Sequence, residues 1–329
     1  MSEIRKSRII VTGAAGFIGS CMVAKLNELG HLYDVIVVDD FYKQYKDNNL
    51  KKKFIRDWIH RDIFLGLFDN LAGMTDFVIH LGARTDTTEQ SIEIFDELNL
   101  EYSKAIWKLC VKHHIPLIYA SSAATYGNGE NGYDDDESKI PNLKPLNPYG
   151  ESKQQFDEWV LKQKKTPPFW AGFKFFNVYG PNEYHKGRMA SVVFHAFNQI
   201  KTNHKMNLFK SHRPDFEDGH QSRDFVYVKD VVDVLYYFFK TRKHSGIYNL
   251  GSGKARTFLD LVKGVFKSLG QKPQIEFIDT PVDIRDTYQY FTEANMSKLK
   301  NAGYEKPFTS LESGIDDYIK NYLSQGKYY

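Results

Sequence analysis

Cysteine, net charge and long apolar runs are all scarce in this chain of 329 residues, and each scarcity excludes a class of protein. Two cysteines, Cys21 and Cys110, form no metal-binding or redox spacing, so we expect small buried residues in a reducing compartment and no metal site. No apolar run approaches the ~20 residues that a membrane helix needs. A formal net charge of +3, with scattered basic residues, argues against nucleic acid as a partner.

The segment IRKSRIIVTGAAGFIG near the N-terminus has basic residues before an apolar run, as signal peptides do. However, glycines interrupt this run at regular spacing, and it continues directly into a helix-like sequence. We therefore reject a signal peptide and expect a cytoplasmic protein.

The first half of the chain alternates short apolar runs with amphipathic segments. Strands are predicted at 8–13, 34–40, 76–83, 115–122 and 170–180, and helices at 16–29, 91–113, 149–165 and 189–200. Continuous apolar strands between helices indicate a parallel sheet covered on both faces. The predicted fold is therefore α/β, with a Rossmann-type doubly wound parallel sheet in residues 1–180, to which 225–255 return. A smaller, interleaved α/β substrate domain is predicted in residues 181–329.

The segment VTGAAGFIGS places Gly13, Gly16 and Gly19 between the first strand and the first helix. Glycine permits a tight turn and a close backbone approach to phosphate, and the helix N-terminus offers N–H groups and partial positive charge. The spacing G-x-x-G-x-x-G is weak evidence alone, but the flanking strand and helix make it strong. A glycine-rich turn without a ligand is the minority alternative.

The second strand ends at Asp39 and Asp40, where this fold places the residue that binds the adenosine ribose. An acidic residue there favours NAD, because its carboxylate accepts a hydrogen bond from the ribose 2′-hydroxyl. Lys43, Lys46 and the cluster KKKFIR at 51–56 could instead hold the 2′-phosphate of NADP, although solvated lysines are commoner. These residues by themselves leave NAD and NADP both open.

Tyr149 and Lys153 lie four residues apart at the start of a predicted helix, which places both on one helical face. Such a pair is common on surfaces, but this one follows a dinucleotide loop and the strand end SSAATYG. A phenol with a pKa near ~10 is a poor base unless a neighbouring ammonium favours the phenolate. Ser122, or less favourably Ser121, would bond the same substrate oxygen. The pattern predicts hydride transfer at a secondary alcohol.

The glycine loop, the Tyr149/Lys153 pair and FFNVYGP (175–181) resemble the extended short-chain dehydrogenase/reductase family of nucleotide-sugar enzymes. More narrowly, the chain resembles ADP-glyceromanno-heptose 6-epimerases in the segments YASSAATYG, NVYGPNEYHKGRMAS, RDFVYVKDV, GIYNLGSG and NAGYEKPF. The resemblance covers almost the whole chain. It implies an isomerase that inverts C6 of ADP-D-glycero-β-D-manno-heptose with bound NADP, giving ADP-L-glycero-β-D-manno-heptose for the lipopolysaccharide inner core.

The same resemblance implies roles for individual residues. Tyr149 and Lys186, from the HKG segment, would serve opposite sides of C6, while Lys153 would bind the nicotinamide ribose and Ser122 would assist. Arg61 takes the place of a family lysine, which tips the cofactor towards NADP. The implied cofactor contacts are Gly13, Gly16, Phe17, Ile18, Gly19, Asp39, Asp40, Lys46, Arg61, Leu81, Gly82, Ala83, Arg84, Thr85, Asn99, Lys153, Val178 and Lys186. The implied substrate contacts are Asn177, Arg188, His195, Phe209, Arg223 and Tyr288.

Three features depart from the family pattern. Arg188 stands where the family keeps a serine, and Arg84 stands where it usually has a cysteine. The segment SHRPDFEDGHQS (211–222) is longer than usual beside the expected nucleotide-diphosphate site. His195 has only the motif in its favour, because an isolated histidine on a helix is more often a plain core or surface residue.

Two other functions are considered. Another family member could be a 4-epimerase or 4,6-dehydratase acting on a UDP-, GDP- or dTDP-sugar, but a dehydratase needs acidic residues where this chain has Ala123 and Ala124. A non-catalytic dinucleotide-sensing protein commonly loses the tyrosine or the lysine, and both are retained here. Relatives form homo-oligomers, so the resemblance also implies self-association.

Overall fold

A seven-stranded sheet organises the structure, a computed structural model that describes residues 6–285 and 288–329. Within those residues the strands are β1 (Ser7–Thr12), β2 (Tyr33–Asp39), β3 (Asp57–His60), β4 (Phe77–His80), β5 (Leu117–Ser122), β6 (Trp170–Phe175), β7 (Asn177–Tyr179), β8 (Met206–Phe209), β9 (Ser222–Tyr227), β10 (Gly246–Leu250), β11 (Ala255–Thr257) and β12 (Ile275–Ile278).

Helices cover the central sheet and also pack against strands outside it. The region around those strands, β7–β9, β11 and β12, is called the smaller lobe. The helices in the described residues are α1 (Phe17–Glu28), α2 (Arg61–Ala72), α3 (Ile92–Phe95), α4 (Tyr102–Lys112), α5 (Pro148–Leu161), α6 (Val192–Asn203), α7 (Val228–Thr241), α8 (Phe258–Ser268), α9 (Val282–Arg285), α10 (Ser297–Asn301) and α11 (Leu311–Asn321). A π-helical turn, Asp96–Glu101, joins α3 to α4. None of these helices is long and apolar enough to cross a membrane.

The central sheet has the strand order β3-β2-β1-β4-β5-β6-β10, and every neighbouring pair is parallel. Apart from the edge strand β3, where Asp57 and Trp58 are exposed, its strands are buried along almost their full length, as a sheet with helices on both faces requires. The order reverses between β1 and β4, which is the point where ligands bind in doubly wound folds. The Rossmann-type prediction is confirmed.

The run predicted as one strand at 170–180 supplies strands to two different sheets. β6 belongs to the central sheet, whereas β7 pairs in parallel with β9, which pairs antiparallel with β11. At the break, the Phe176 N–H donates to Leu250 O (3.1 Å), and Val178 N–H donates to Phe176 O (2.9 Å). Both strands are apolar, so hydrophobicity alone gives no sign of the change of sheet.

The remaining strands divide residues 181–329 between two regions. β8 and β12 form a separate parallel pair, and β9 and β11 lie in the small mixed sheet. β10 alone returns to the central sheet, at its edge, and α7 packs on α1. Residues 225–255 were predicted to return to the Rossmann-type domain. Within them, α7 and β10 lie with the central sheet.

Lys174 and Asp157 form a completely enclosed ion pair beneath α5, with both side chains 0% exposed and 2.6 Å between Nζ and Oδ2. Asp157 also accepts hydrogen bonds from Tyr119 Oη (3.1 Å) and Ser121 Oγ (2.7 Å). Lys174 also donates to Thr125 Oγ1 (2.8 Å). Because every charge here is paired, the cost of desolvation is offset, and β5, β6 and α5 are joined at one point.

We expect Lys174→Met to destabilise the protein by about 3–5 kcal/mol, because it leaves the Asp157 carboxylate buried without its cation. Urea unfolding followed by circular dichroism measures the change. Lys162→Met is the control: this lysine, exposed on α5's last turn and paired with Glu158, should cost under about 0.5 kcal/mol. Equal effects from both substitutions would contradict the role given to the buried pair.

Candidate functional site

A cleft of about 690 Å³ opens where β1, β2, β4 and β5 end at their carboxyl termini. All four predicted catalytic residues line it: Ser122, Tyr149, Lys153 and Lys186. So do the predicted cofactor residues Gly13, Gly16, Phe17, Ile18, Gly19, Asp39, Asp40, Lys46, Arg61, Leu81, Gly82, Ala83, Arg84, Thr85 and Val178. The structure therefore gathers residues separated by more than 170 positions at the switch point of the sheet.

The glycine loop is packed too closely for a side chain at Gly13 and at Gly19. Gly13 has φ +66°, and a Cβ there would lie 2.6 Å from the Gly82 Cα. A Cβ on Gly19 would lie 2.1 Å from the Gly13 carbonyl oxygen. Gly16 precedes α1, and no side chain in the described residues caps the helix there. This cradle of backbone N–H groups at a helix N-terminus fits a dinucleotide pyrophosphate.

Asp39 and Asp40 are both buried at the end of the cleft where β2 ends, and cationic side chains lie beside each of them. Asp39 accepts from the Ala15 N–H (2.8 Å) and from Lys46 Nζ (2.5 Å). Asp40 lies 3.2 Å from Lys43 Nζ and 3.5 Å from Arg61 Nη2. Burial disfavours its charge, but the Lys43 and Arg61 cations outweigh burial and hold its pKa below the ordinary value. Carboxylates and cations thus share the region that would face the adenosine ribose.

Tyr149 and Lys153 lie on the first two turns of α5, whose N-cap Asn147 accepts from the Gly150 N–H (2.8 Å). Burial raises the pKa of the Tyr149 phenol, and a hydrogen bond with Ser122 acts in the opposite direction. Lys153 Nζ donates to Ala120 O (3.0 Å). Burial lowers the Lys153 pKa to about 8, although the charge of Asp157 opposes this. Lys153 can therefore exchange protons closer to neutrality than a lysine in water can, whereas burial favours the neutral phenol of Tyr149.

Lys186 enters the cleft from the connection between β7 and α6. It is half-buried, and its Nζ lies 5.4 Å from the centre of the Phe17 ring on α1. Burial lowers the Lys186 pKa, with Glu183 opposing. The next residue, Gly187, has φ +54° and ψ −129°, a conformation that only glycine adopts easily. This conformation explains the glycine of the HKG segment.

The loop that carries Lys186 is attached to the glycine-loop half of the molecule. Asn182 Nδ2 donates to Ser20 Oγ on α1 (3.0 Å), and Cys21 Sγ donates to Pro181 O (3.4 Å). Asn49 Nδ2 donates both to Asn182 O (3.0 Å) and to Ala15 O in the glycine loop (2.9 Å). Asn49 therefore connects the lysine loop directly to the cofactor loop.

Asn99 is placed differently from the other predicted cofactor residues. It is buried in the π-helical turn, outside the cleft lining, where Oδ1 accepts from Arg84 N (2.7 Å). Its Nδ2 donates to Arg84 O (3.0 Å) and Ser152 Oγ (3.0 Å). This amide holds the 81–85 segment against α5 from behind.

The six predicted substrate residues, all within the described ranges, lie outside the lining of this cleft. Three of them form a cluster in the smaller lobe, where the buried Arg223 guanidinium lies 5.4 Å from the Tyr288 ring centre. Phe209 contacts Tyr288 edge-on, with 6.1 Å between ring centres. Segment 211–222 packs beside them, since Arg213 lies 5.1 Å from the Tyr290 ring centre. The cluster offers a cation among aromatic rings.

The other three predicted substrate residues lie nearer the lysine loop. His195 Nε2 is 3.3 Å from Arg188 O, so these two adjoin, and Arg188 itself is exposed. Asn177 is exposed on β7. Neither the Arg188/His195 pair nor Asn177 lines the cleft in this structure.

Among the cleft residues that were not predicted from the sequence, two carry polar aromatic rings beside the predicted lysines. His185 and Tyr45 stack with 6.2 Å between ring centres beside Lys46 and Lys186. Burial lowers the His185 pKa to about 4, assisted by those two lysine charges, so it is neutral at physiological pH. His185 could have been proposed as a cleft residue because it directly precedes Lys186, whereas no sequence feature marks Tyr45. No cluster of His, Cys, Asp or Glu able to hold a metal occurs in the described ranges.

Comparisons with known proteins agree with this architecture. A family model described as the NAD dependent epimerase/dehydratase family matches residues 9–251. The chain is 49% identical over 328 residues to the ADP-L-glycero-D-manno-heptose-6-epimerase of Fusobacterium nucleatum, covering 96% of this chain and 98% of that protein. The protein of the same name from Nitratidesulfovibrio vulgaris is 47% identical over 317 residues, with the same coverage of 96% and 98%. The crystal structure of Helicobacter pylori ADP-L-glycero-D-manno-heptose-6-epimerase matches with a TM-score of 0.80 and 29% identity, covering 96% of each chain.

Gly13→Ala should abolish retention of the dinucleotide, because its Cβ would collide with the Gly82 backbone and its φ would be strained. The measurement is the cofactor content of the purified protein by absorbance and chromatography. Gly66→Ala is the control, since a Cβ at that exposed position on α2 would meet nothing within 4 Å. Full cofactor content in the Gly13→Ala protein would contradict the cradle.

Proposed function

The chain belongs to the NAD dependent epimerase/dehydratase family, and from this we propose that it interconverts ADP-D-glycero- and ADP-L-glycero-β-D-manno-heptose by inverting C6. One observation carries the proposal beyond family membership. Tyr149 on α5 and Lys186 on a separate loop line one cleft, so two proton-handling groups are available to one carbon. A simple dehydrogenase needs only one such group.

The cofactor is a nicotinamide dinucleotide, which when bound supplies the reversible oxidation of the sugar carbon. The backbone around Gly13 and Gly16 would hold its pyrophosphate, and Lys153 its nicotinamide ribose. Asp39, Lys46 and Arg61 would face the adenosine ribose.

Tyr149 and Lys186 divide the proton chemistry. Oxidation at C6 requires a base for the hydroxyl proton, and reduction from the other face requires an acid for the ketone oxygen. The oxygen lies in different places in these two steps, because the ketone presents opposite faces. Tyr149, assisted by Ser122, serves one position and Lys186 serves the other. A dehydratase is disfavoured, since Ala123 and Ala124 after Ser122 provide no acid.

We infer that the dinucleotide is NADP. Lys43, Lys46 and Arg61 lie at the ribose end of the cleft beside two carboxylates, Asp39 and Asp40, so positive charge is in excess there, and a 2′-hydroxyl needs none. A 2′-phosphate would engage these cations in charge-assisted hydrogen bonds.

The purified protein should therefore carry NADP(H), and Arg61→Ala should weaken NADP retention about 10- to 100-fold, as the loss of a charged hydrogen bond predicts. Chromatography of the cofactor released by denaturation measures both effects. Lys51→Ala, an exposed lysine outside the cleft, is the control. Recovery of NAD(H) alone would overturn the choice.

Incubation with ADP-D-glycero-β-D-manno-heptose should yield the L-glycero epimer, followed by NMR at C6. GDP- and UDP-sugars run in parallel test the nucleoside. Turnover of a UDP-sugar at C4 with no change in the heptose would move the assignment to a 4-epimerase.

Tyr149→Phe and Lys186→Met should each lower the rate of epimerisation by at least ~10²-fold, the usual scale for general acid–base groups, while cofactor stays bound. The rate of approach to the epimer mixture and the bound cofactor are measured together. Lys201→Met, an exposed lysine on α6, is the matched control. Inversion at the normal rate by Lys186→Met would refute its assignment.

The assembly and compartment remain predictions. We propose a cytoplasmic homo-oligomer, which is compatible with two buried free thiols, Cys21 and Cys110. Sedimentation velocity measures the assembly directly.

A further inference from the structure

We propose that Glu183 is a positioning residue for Lys186: its carboxylate closes the loop that carries this lysine and supplies the negative charge that acts on the ammonium. The catalytic meaning of this pair rests on the proposed function. The position of Glu183 in the loop rests on contacts within the chain.

Glu183 closes the loop by contacting both of its ends. Its side chain is fully buried. Oε1 accepts from Gly180 N–H (3.3 Å) and from Ser191 Oγ (2.7 Å), and Oε2 accepts from Ser191 N–H (2.5 Å). The Lys186 N–H donates to the Glu183 carbonyl (2.9 Å). Glu183 therefore joins the two ends of the loop through its carboxylate and holds the turn at Lys186 through its backbone carbonyl.

The hydrogen bonds around Glu183 favour its ionised form. All three donate to the carboxylate, and an ionised carboxylate is only an acceptor. Burial raises the Glu183 pKa, while the Lys186 charge and these donors act in the opposite direction. Among the described residues, no Lys, Arg or His lies within 4 Å to form an ion pair with it.

Lys186 is in the complementary position. Its ammonium forms no ion pair within 4 Å in the described ranges, and Glu183 is the charge that raises its pKa against burial. Its other titratable surroundings are His185 on the same loop, Lys46 and Asp39 at the ribose end, and Tyr149 and Lys153 on α5. Around Glu183 itself stand Tyr184, Tyr318 of α11 and Cys21 of α1. None of the latter three is a cation that could replace Lys186.

The predicted consequence is a change in protonation. Without the Glu183 charge, burial lowers the Lys186 pKa further, so the lysine becomes neutral at lower pH. Where Lys186 must donate a proton, the alkaline limit of the reaction moves to lower pH with it.

The experiment measures Lys186 directly in the full chain with its bound cofactor. Labelling by isotope-coded acetic anhydride across a pH series, read by peptide mass spectrometry, gives the midpoint at which the amine becomes reactive. Glu183→Gln should lower this midpoint by about one pH unit or more, as the loss of a close opposite charge does. The kcat profile should move in the same direction, with KM nearly unchanged.

Two further variants separate charge from shape. Ser191→Ala removes the hydroxyl that donates to Glu183 and that caps α6 by accepting from Phe194 N–H (3.3 Å), but it keeps the carboxylate, so its midpoint should equal that of the wild type. Glu183→Asp also keeps the charge but is one methylene too short to reach both loop ends; its kcat should fall while its midpoint stays. This variant also tests the proposal if Glu183→Gln fails to fold.

An unchanged midpoint in Glu183→Gln, or equal shifts in Glu183→Gln and Ser191→Ala, would overturn the proposal. A lowered midpoint in Glu183→Asp would do so as well. A midpoint shift in Glu183→Gln without heptose epimerisation by the wild type would retain the pairing and refute the proposed function.

Discussion

The backbone contact between the ends of β1 and β4 determines what the rest of the cleft can do. Gly13 and Gly82 approach so closely that neither the φ of Gly13 nor the space beside it accepts a side chain. Thr12 Oγ1 supports this contact, since it accepts from the Gly82 N–H (3.2 Å) and lies 2.6 Å from His80 Nδ1. Burial lowers the His80 pKa to about 3, so this histidine stays neutral and the arrangement does not change with physiological pH. A fixed gap at the switch point would let the proposed dinucleotide lie across the two halves of the sheet.

A second constraint operates under α5. Tyr149 and Lys153 project from one face of that helix, and Asp157, one turn further on, is locked to β5 and β6 through Ser121 and Lys174. The helix therefore cannot rotate or slide without separating a charge pair that has no access to water. The Asp157–Lys174 ion pair therefore fixes the positions of Tyr149 and Lys153, although neither residue belongs to the pair.

Sequence reasoning succeeded where the relevant information is local. The turn at Gly13–Gly19 and the spacing of Tyr149 and Lys153 are each contained in one short segment, so their placement on a strand end and a helix face follows from periodicity. It failed where the partners are distant. Asn49 contacts Asn182 across 133 positions, and no composition or spacing rule connects two asparagines so far apart. The split of 170–180 was missed because the run stays largely apolar across the break. Family resemblance assigned Asn99 to the cofactor, whereas in the structure it lies in the π-helical turn and bonds Arg84 and Ser152. Lys186 required family resemblance, since its loop contains no regular pattern.

The attachment of the lysine loop changes where the molecule divides. By chain order Lys186 follows residue 180 and falls in the second half, yet Ser20, Cys21 and Asn49 all hold its loop to the first half. These contacts join Lys186 to the half of the molecule that carries Tyr149 and the cradle around Gly13, and the loop also bonds the C-terminal residues Lys327 and Tyr329. Under the proposed function, one half of the fold therefore holds both groups that exchange protons with the substrate, and the ketone has to rotate between them.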